Sequence, residues 1–131
     1  MVILDTSIII DHLRQPYSKS LLAKIEKEHT RETLCLSILS VQELYEGQST
    51  KNPEQEKDLI ATITPLKILP YSYEIAKYAG RIMRDVSYPI EFADAAIAAT
   101  AIVNGASLFT LDKKDFQGVK GLELFLLPDK D

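Results

Sequence analysis

Four carboxylates occupy positions where apolar segments of the chain begin or end. Asp5 interrupts VILDTSIIID, with Thr6 and Ser7 behind it and a second apolar run after those. Glu43 lies in SILSVQEL, Asp94 in FADAAIAATAI, and Asp112 directly follows SLFTL. Acids gathered in one crevice would repel one another, and some would keep a proton at neutral pH. A hard divalent ion with all-oxygen ligation, Mg²⁺ or Mn²⁺, removes that conflict. Zinc is disfavoured, because Cys35, His12 and His29 show no ligand spacing. The two histidines read as helix-surface residues.

Each acid also has an explanation without chemistry. Asp is a good N-cap, and a helix follows Asp5. Ser40-x-x-Glu43 matches a capping box. For these two the cap and the metal ligand weigh about equally. Turn chemistry accepts Asp112, and Asp115 stands close enough to serve in its place. Asp94 is harder to explain away. It shares one helical face with Ile97, Ala98 and Ala101, a face that reads as buried. A carboxylate there loses hydration, and a helix N-terminus returns only about 0.3–1 kcal/mol.

The elements that must position these acids alternate. Val2–Leu4 reads as a short buried strand, apolar at every position. A helix from Ser7 stops before Pro16, and residues 18–29 carry Leu21, Leu22 and Ile25 at helical spacing. Thr33–Leu36 is a second strand. A helix starts at Ser40 and ends at Gly47. Asn52-Pro53 opens another, with Leu59, Ile60 and Ile63 as its stripe and Pro65 as its stop. Residues 67–69 form a brief strand, and Ser72 caps a helix with Ile75, Ala79, Ile82, Met83 and Val86 on one face. Residues 92–103 are helical and end at Asn104-Gly105. Ser107–Leu111 is a strand, Asp112–Gly121 a loop or short helical turn, and Leu122–Leu127 a last strand. This alternation predicts an α/β fold, with a parallel sheet of about four or five strands flanked by helices. In such sheets the ligand crevice lies beyond the C-terminal strand ends. Asp5, Glu43 and Asp112 fall at strand ends or early in the following helix, so one rim can collect them.

Length and composition agree with one domain over residues 1–131. The chain is 46% hydrophobic and 26% charged, with net charge −4. That balance argues against a strongly basic nucleic-acid coat and leaves room for a local basic patch. No apolar run approaches the roughly 20 residues of a membrane span. A single cysteine forbids an intrachain disulfide and points to a reducing, cytoplasmic setting.

LDTSIIIDHL, SILSVQELYEG, DAAIAATAIVNGASLFTLDKKDF and the closing VKGLELF together resemble the PIN-domain ribonucleases, in particular the VapC-type toxins of toxin–antitoxin pairs. The resemblance covers essentially the whole chain in order. It implies a PIN-like fold whose metal-binding acids fall on Asp5, Glu43, Asp94 and Asp112, with Ser7 and Thr110 as small polar supports. Two departures stand out. Phe92 and Ala93, not an acid, directly precede Asp94, and Asp115 competes with Asp112 for the last acid.

The implied reaction is metal-assisted hydrolysis of RNA phosphodiester bonds. Thr6 or Ser7 would orient a ligand or water, or serve structure alone. Lys113 and Lys114 adjoin Asp112 and are the candidates for phosphate contacts. A single-stranded or looped RNA suits an acidic crevice better than a duplex. The resemblance further implies a homodimer and a cognate antitoxin whose segment lies near the acids. The stripes of 18–29 and 52–64 would form its groove, or else face their own core. Tyr45, Tyr71, Tyr73 and Tyr78 are interface aromatics or core edges.

Two other functions compete. One is a phosphatase or phosphotransfer domain with Asp5 as nucleophile. Ser7 then stands where a dehalogenase-like site wants a second Asp. The other is a non-enzymatic binding module that keeps the acids only as caps. No G-x-G-x-x-G or P-loop supports nucleotide binding.

Overall fold

Val2, Ile3 and Leu4 have no exposed surface, because the strand they form lies inside the sheet with both faces covered. The computed structural model describes residues 1–127. Its main elements are β1 (Val2–Leu4), α1 (Thr6–Arg14), α2 (Leu21–Glu28), β2 (Leu34–Ser37), α3 (Ile38–Glu46), α4 (Pro53–Ile63), β3 (Lys67–Leu69), α5 (Tyr73–Asp85), α6 (Phe92–Val103) and β4 (Ser107–Phe109). Among the described residues the sheet has four strands in the order β3-β2-β1-β4. All pairs are parallel, with Val2 opposite Leu34 on one side and Ser107 on the other.

Parallel neighbours need crossover connections, and helices supply them. Side chains alternate across the sheet. Val2, Leu4, Leu36 and Phe109 face Ile8 and Ile9 of α1, Leu22 and Ile25 of α2, and Leu59 of α4. Ile3, Cys35, Leu69 and Leu108 face Ile75, Ala79 and Ile82 of α5 and the alanines of α6. This two-sided burial is why the strands are apolar at every position. In α6, Ala95 to Ala101 are all buried, and their small side chains let the helix pack closely between α5 and the sheet. The helix ends in a Schellman motif, with Ala106 N–H donating to the Ala101 carbonyl and Gly105 N–H to that of Ile102. Gly105 takes the left-handed conformation this needs, at φ 65°.

Several boundaries differ from the sequence-based expectation. Ser37, not Ser40, caps α3, and its hydroxyl accepts from Leu39 N–H at 3.1 Å. α2 starts at Leu21, after a 3-10 turn, with the buried Ser20 as cap. β4 stops at Phe109, and the expected strand over Leu122–Leu127 reduces to one bridge between Leu108 and Leu124. The reason is edge capacity. On a three-residue strand only Leu108 points its amide and carbonyl outward, and Glu123 and Phe125 use both. Apolar stripes are also narrower than expected, since Ile60 and Met83 are exposed.

Candidate metal centre

Asp5 leaves the C-terminal end of β1 and stands at the N-cap position of α1, with extended backbone. Its side chain makes no cap bond, so the simple capping role fails. Instead Oδ2 accepts from Ser7 Oγ at 2.9 Å and from Thr110 Oγ1 at 2.7 Å. Thr110 follows β4, the neighbour of β1 across the point where the strand order reverses. That switch point is where open α/β sheets form their crevice. Asp5 is only 5% exposed. Burial pushes its carboxyl up, the hydroxyls of Thr110 and Ser7 pull it back, and the charge of Asp112 pushes it up again.

Glu43 belongs to α3. With Ser37 as the cap, Ser40 sits inside the helix, fully buried, and the capping-box explanation of Glu43 falls away. Thr6 Oγ1 lies 2.6 Å from Glu43 Oε1 and 2.9 Å from Ser40 Oγ. One hydroxyl carries one proton. Thr6 donates to the carboxylate, where the bond is charge-assisted, and accepts from Ser40. Burial raises the Glu43 carboxyl, Thr6 lowers it, and the charges of Asp5 and Glu46 raise it further.

Asp94 stands half-buried in the first turn of α6. Its carboxyl is pushed up to about 7, first by burial and then by the charges of Asp5, Asp115, Glu43 and Glu91. A crevice of ≈ 480 Å³ between α3 and the start of α6 is lined by Glu43, Glu46, Glu91 and Asp94, with Leu39 and Phe92 among its walls. Glu46 escaped the sequence reading. Its signal was available: it lies three residues beyond Glu43, one turn on along the same helix face.

Asp112 and Asp115 are both exposed, Asp112 just before the 3-10 turn Lys113–Phe116 and Asp115 within it. Asp112 N–H donates to Thr110 Oγ1 at 2.9 Å, so one hydroxyl ties Asp5 to the Asp112 backbone. The two acids divide their influence, Asp112 acting on Asp5 and Asp115 on Asp94. Leu111 N–H donates to Ser7 Oγ at 3.2 Å. Ser7 and Thr110 therefore both sit beside Asp5. Lys113 and Lys114 are exposed next to the acids.

The donor set fits a hard cation. Its charged donors are carboxylate oxygens, and burial, with like charges added, already holds Asp94 up to about 7 for want of a counter-charge. Among the described residues no three acids, histidines or cysteines are gathered closely enough to hold a metal ion as they stand. An open arrangement suits Mg²⁺, which keeps several waters and takes one or two carboxylates directly. The zinc set is dispersed. His12 Nδ1 is 2.7 Å from Ser20 Oγ, His29 packs edge-on against Phe125, and Cys35 is buried in the core. His29 is thus a packing residue rather than a free helix-surface group.

Residues 2–122 match the PIN domain family. The chain is 33% identical to Ribonuclease VapC1 of Rickettsia felis over 137 aligned positions, which span 99% of this chain and 98% of that protein. Among solved structures it is similar to VapBC2 from Rickettsia felis bound to a DNA fragment from their promoter. That likeness has a TM-score of 0.82 at 25% identity and covers 95% of this chain and 98% of the other. DNA-bound VapBC from Salmonella typhimurium shares the fold, with a TM-score of 0.80 at 22% identity over 95% and 96% of the two chains.

Proposed function

The chain belongs to the PIN-domain family, and on that premise we propose that it is a metal-dependent endoribonuclease, the toxin of a toxin–antitoxin pair. One observation carries the reading: acids from the end of β1, from α3, from the start of α6 and from the turn after β4 bear on one another at the switch point of the sheet. Asp5, Glu43 and Asp94, with Asp112 or Asp115, would hold Mg²⁺ or Mn²⁺. Such an ion supplies Lewis acidity toward the scissile phosphate and lowers the pKa of water. The chain's own part is positional. Thr110 and Ser7 orient Asp5, Thr6 orients Glu43, and Lys113 and Lys114 offer charge to the RNA backbone.

The alternatives have less support. Asp5 as a phosphoryl acceptor is nearly inaccessible, and its Oδ2 already takes two hydroxyl bonds. The caps-only module needs Asp5 and the Ser40–Glu43 pair to cap, and neither does.

A cognate antitoxin is the proposed partner. The solved relatives are VapBC toxin–antitoxin complexes, and a groove of ≈ 690 Å³ between α1, α3 and α4 runs beside Glu43, with Ile10, Leu13, Leu44 and Leu59 in its walls. The cleft where α2 meets α4 is smaller, at ≈ 370 Å³, and is shared with His12 and Leu13 of α1, while the stripe residue Ile25 faces the core. A homodimer is part of the same proposal. Tyr45, Tyr73 and Phe92 are its exposed aromatic candidates, whereas Tyr71 and Tyr78 pack against the core. No helix among the described residues is long and apolar enough to cross a membrane, and a cytoplasmic setting is proposed with the function.

The test is cleavage of an RNA pool with EDTA, Mg²⁺ or Mn²⁺, by the parent protein and by Asp94→Asn, beside thermal melts. Cleavage that requires the ion and disappears in a folded Asp94→Asn supports the reading. Full activity in EDTA, or in Asp94→Asn, would overturn it.

A further inference from the structure

Gly118 has no backbone need to be glycine, since it is absent from the positive-φ residues. Its need is spatial. A Cβ at this position would stand 2.4 Å from Tyr88 Cε1 and 3.2 Å from Cδ1, so the ring lies directly on the Gly118 backbone. The same ring's hydroxyl donates to the Asp115 carbonyl at 3.0 Å. Tyr88 therefore holds the segment from Asp115 to Gly118 at two points.

The two sides of this contact carry different acids. Tyr88 belongs to the short connection between α5 and α6, where Val86 and Ile90 pack into the core and Glu91 opens the helix that bears Asp94. Phe116 and Val119 root the other side in the same core. Between these anchors Asp112 and Asp115 are exposed, with backbone bonds to Thr110 and within the turn. Beyond this shared core, the Tyr88 hydroxyl bond and ring contact join the Asp115 turn to the approach to α6.

We propose that Tyr88, seated on Gly118 and bonded to the Asp115 backbone, is a positioning residue that sets the distance between Asp115 and Asp94 and hence the affinity of the site for its cation. The inference rests on the metal-centre reading above. It assigns work to two residues that reading leaves idle, and it stands on geometry: the ring joins the exposed Asp115 turn to the connection that leads into α6 and Asp94. Tyr88 touches neither substrate nor metal. It acts through Asp115.

The experiment is Mn²⁺ titration of the full chain by calorimetry, with melts in EDTA and cleavage measured against Mn²⁺ concentration. The variants are Tyr88→Phe, Gly118→Ala, their combination, and Asp94→Asn as control. Tyr88→Phe keeps the ring and removes the bond. It should weaken Mn²⁺ binding about tenfold, in the range for loss of a group that orients a ligand. Gly118→Ala displaces the ring and should cost at least as much. The combination should add little to Gly118→Ala, because both act through one contact. Cleavage should return to the parent level at saturating Mn²⁺, a rescue that a general folding defect would not show. If Gly118→Ala fails to fold, Tyr88→Phe alone decides. Mn²⁺ binding that depends on Asp94 but is unchanged in Tyr88→Phe overturns the clasp and leaves the metal centre standing. Absence of Asp94-dependent binding in the parent protein overturns both.

Discussion

The Thr110 hydroxyl donates to Asp5 Oδ2 at 2.7 Å and accepts from the Asp112 amide at 2.9 Å, joining residues 105 positions apart in the chain. Asp5 N–H, in turn, donates to the Phe109 carbonyl at 2.9 Å. The ends of β1 and β4 are thus locked by a backbone bond, and the hydroxyl bond builds the site directly on that lock. Thr110→Val keeps the shape of the side chain and removes both bonds. Without the donor, ionised Asp5 loses a stabilising partner and its carboxyl rises further. The acidic limb of the pH–rate profile should move to higher pH, and cleavage at neutral pH should fall about tenfold. Thr110→Ser should retain the parent profile. An unshifted profile in Thr110→Val would show that the hydroxyl does not tune Asp5.

Stability of the metal-free protein should fall as pH rises. Asp5, Glu43 and Asp94 all have folded-state values above those of free carboxyls. Between the ordinary value of 3.8 and about 7, Asp94 holds its proton in the folded state and loses it in the unfolded one. Its contribution is therefore fully present below 3.8 and gone once pH passes about 7. In EDTA the melting midpoint should be higher at pH 5 than at pH 8. Asp94→Asn should raise the pH 8 midpoint and flatten the dependence. Mn²⁺ should stabilise more at pH 8 than at pH 5, because protons compete with the ion for the same oxygens. A midpoint that rises with pH in EDTA would contradict the crowding of these acids.

Thr6 separates a structural from a functional role. Thr6→Val takes the donor from Glu43 and the partner from Ser40, which has no exposed surface. Stranding the Ser40 hydroxyl should cost about 1–3 kcal/mol of stability. Adding Ser40→Ala removes the stranded group and should recover most of that loss, while cleavage stays low because Glu43 is still unoriented. Denaturant melts and single-turnover cleavage on the two variants measure the two effects separately. Recovery of activity together with stability would mean that Thr6 serves only the fold.

Much of this architecture was legible from local rules. Val2–Leu4, Asn52-Pro53, Ser72 and Asn104-Gly105 announce their strand, caps and stop through side-chain chemistry within a few residues. The boundaries that shifted are those set by tertiary partners. Ser40 looks like a cap by spacing, but Thr6, 34 positions away, claims its hydroxyl inside the helix. Leu122–Leu127 has strand composition, yet β4 leaves only Leu108 unpaired on its outer edge. In the site, Asp94 stands out by itself on an apolar helix face, whereas Asp5 and Glu43 stand out only jointly, by their places at strand ends and early in the following helix. Glu46 was within reach too, by its i, i+3 spacing to Glu43, but Thr6 as the partner of Glu43 and the Tyr88–Gly118 contact were not, since those roles exist only once distant segments meet.

The charges opposite the acids give the last prediction. The chain carries net charge −4, so any grip on RNA must be local rather than a property of the whole surface. Lys113 and Lys114 are exposed beside Asp112, and neither joins an ion pair among the described residues. Lys113 also lines a cleft of ≈ 400 Å³ that includes Thr110 and Lys24, immediately beside the acids. If both ammonium groups neutralise phosphates, each releases counterions when RNA binds. Binding to a single-stranded oligonucleotide should then weaken with salt, and the slope of log affinity against log salt should shrink by roughly 0.7 per lysine removed. Anisotropy titrations in the Asp94→Asn background avoid cleavage during the measurement. Lys113→Ala and Lys114→Ala should each reduce affinity and slope together, while Lys57→Ala, on the exposed face of α4, should leave both unchanged. If all three variants keep the parent slope, Lys113 and Lys114 belong to a solvated face, and the phosphates must be held by the acids' cation and backbone amides alone.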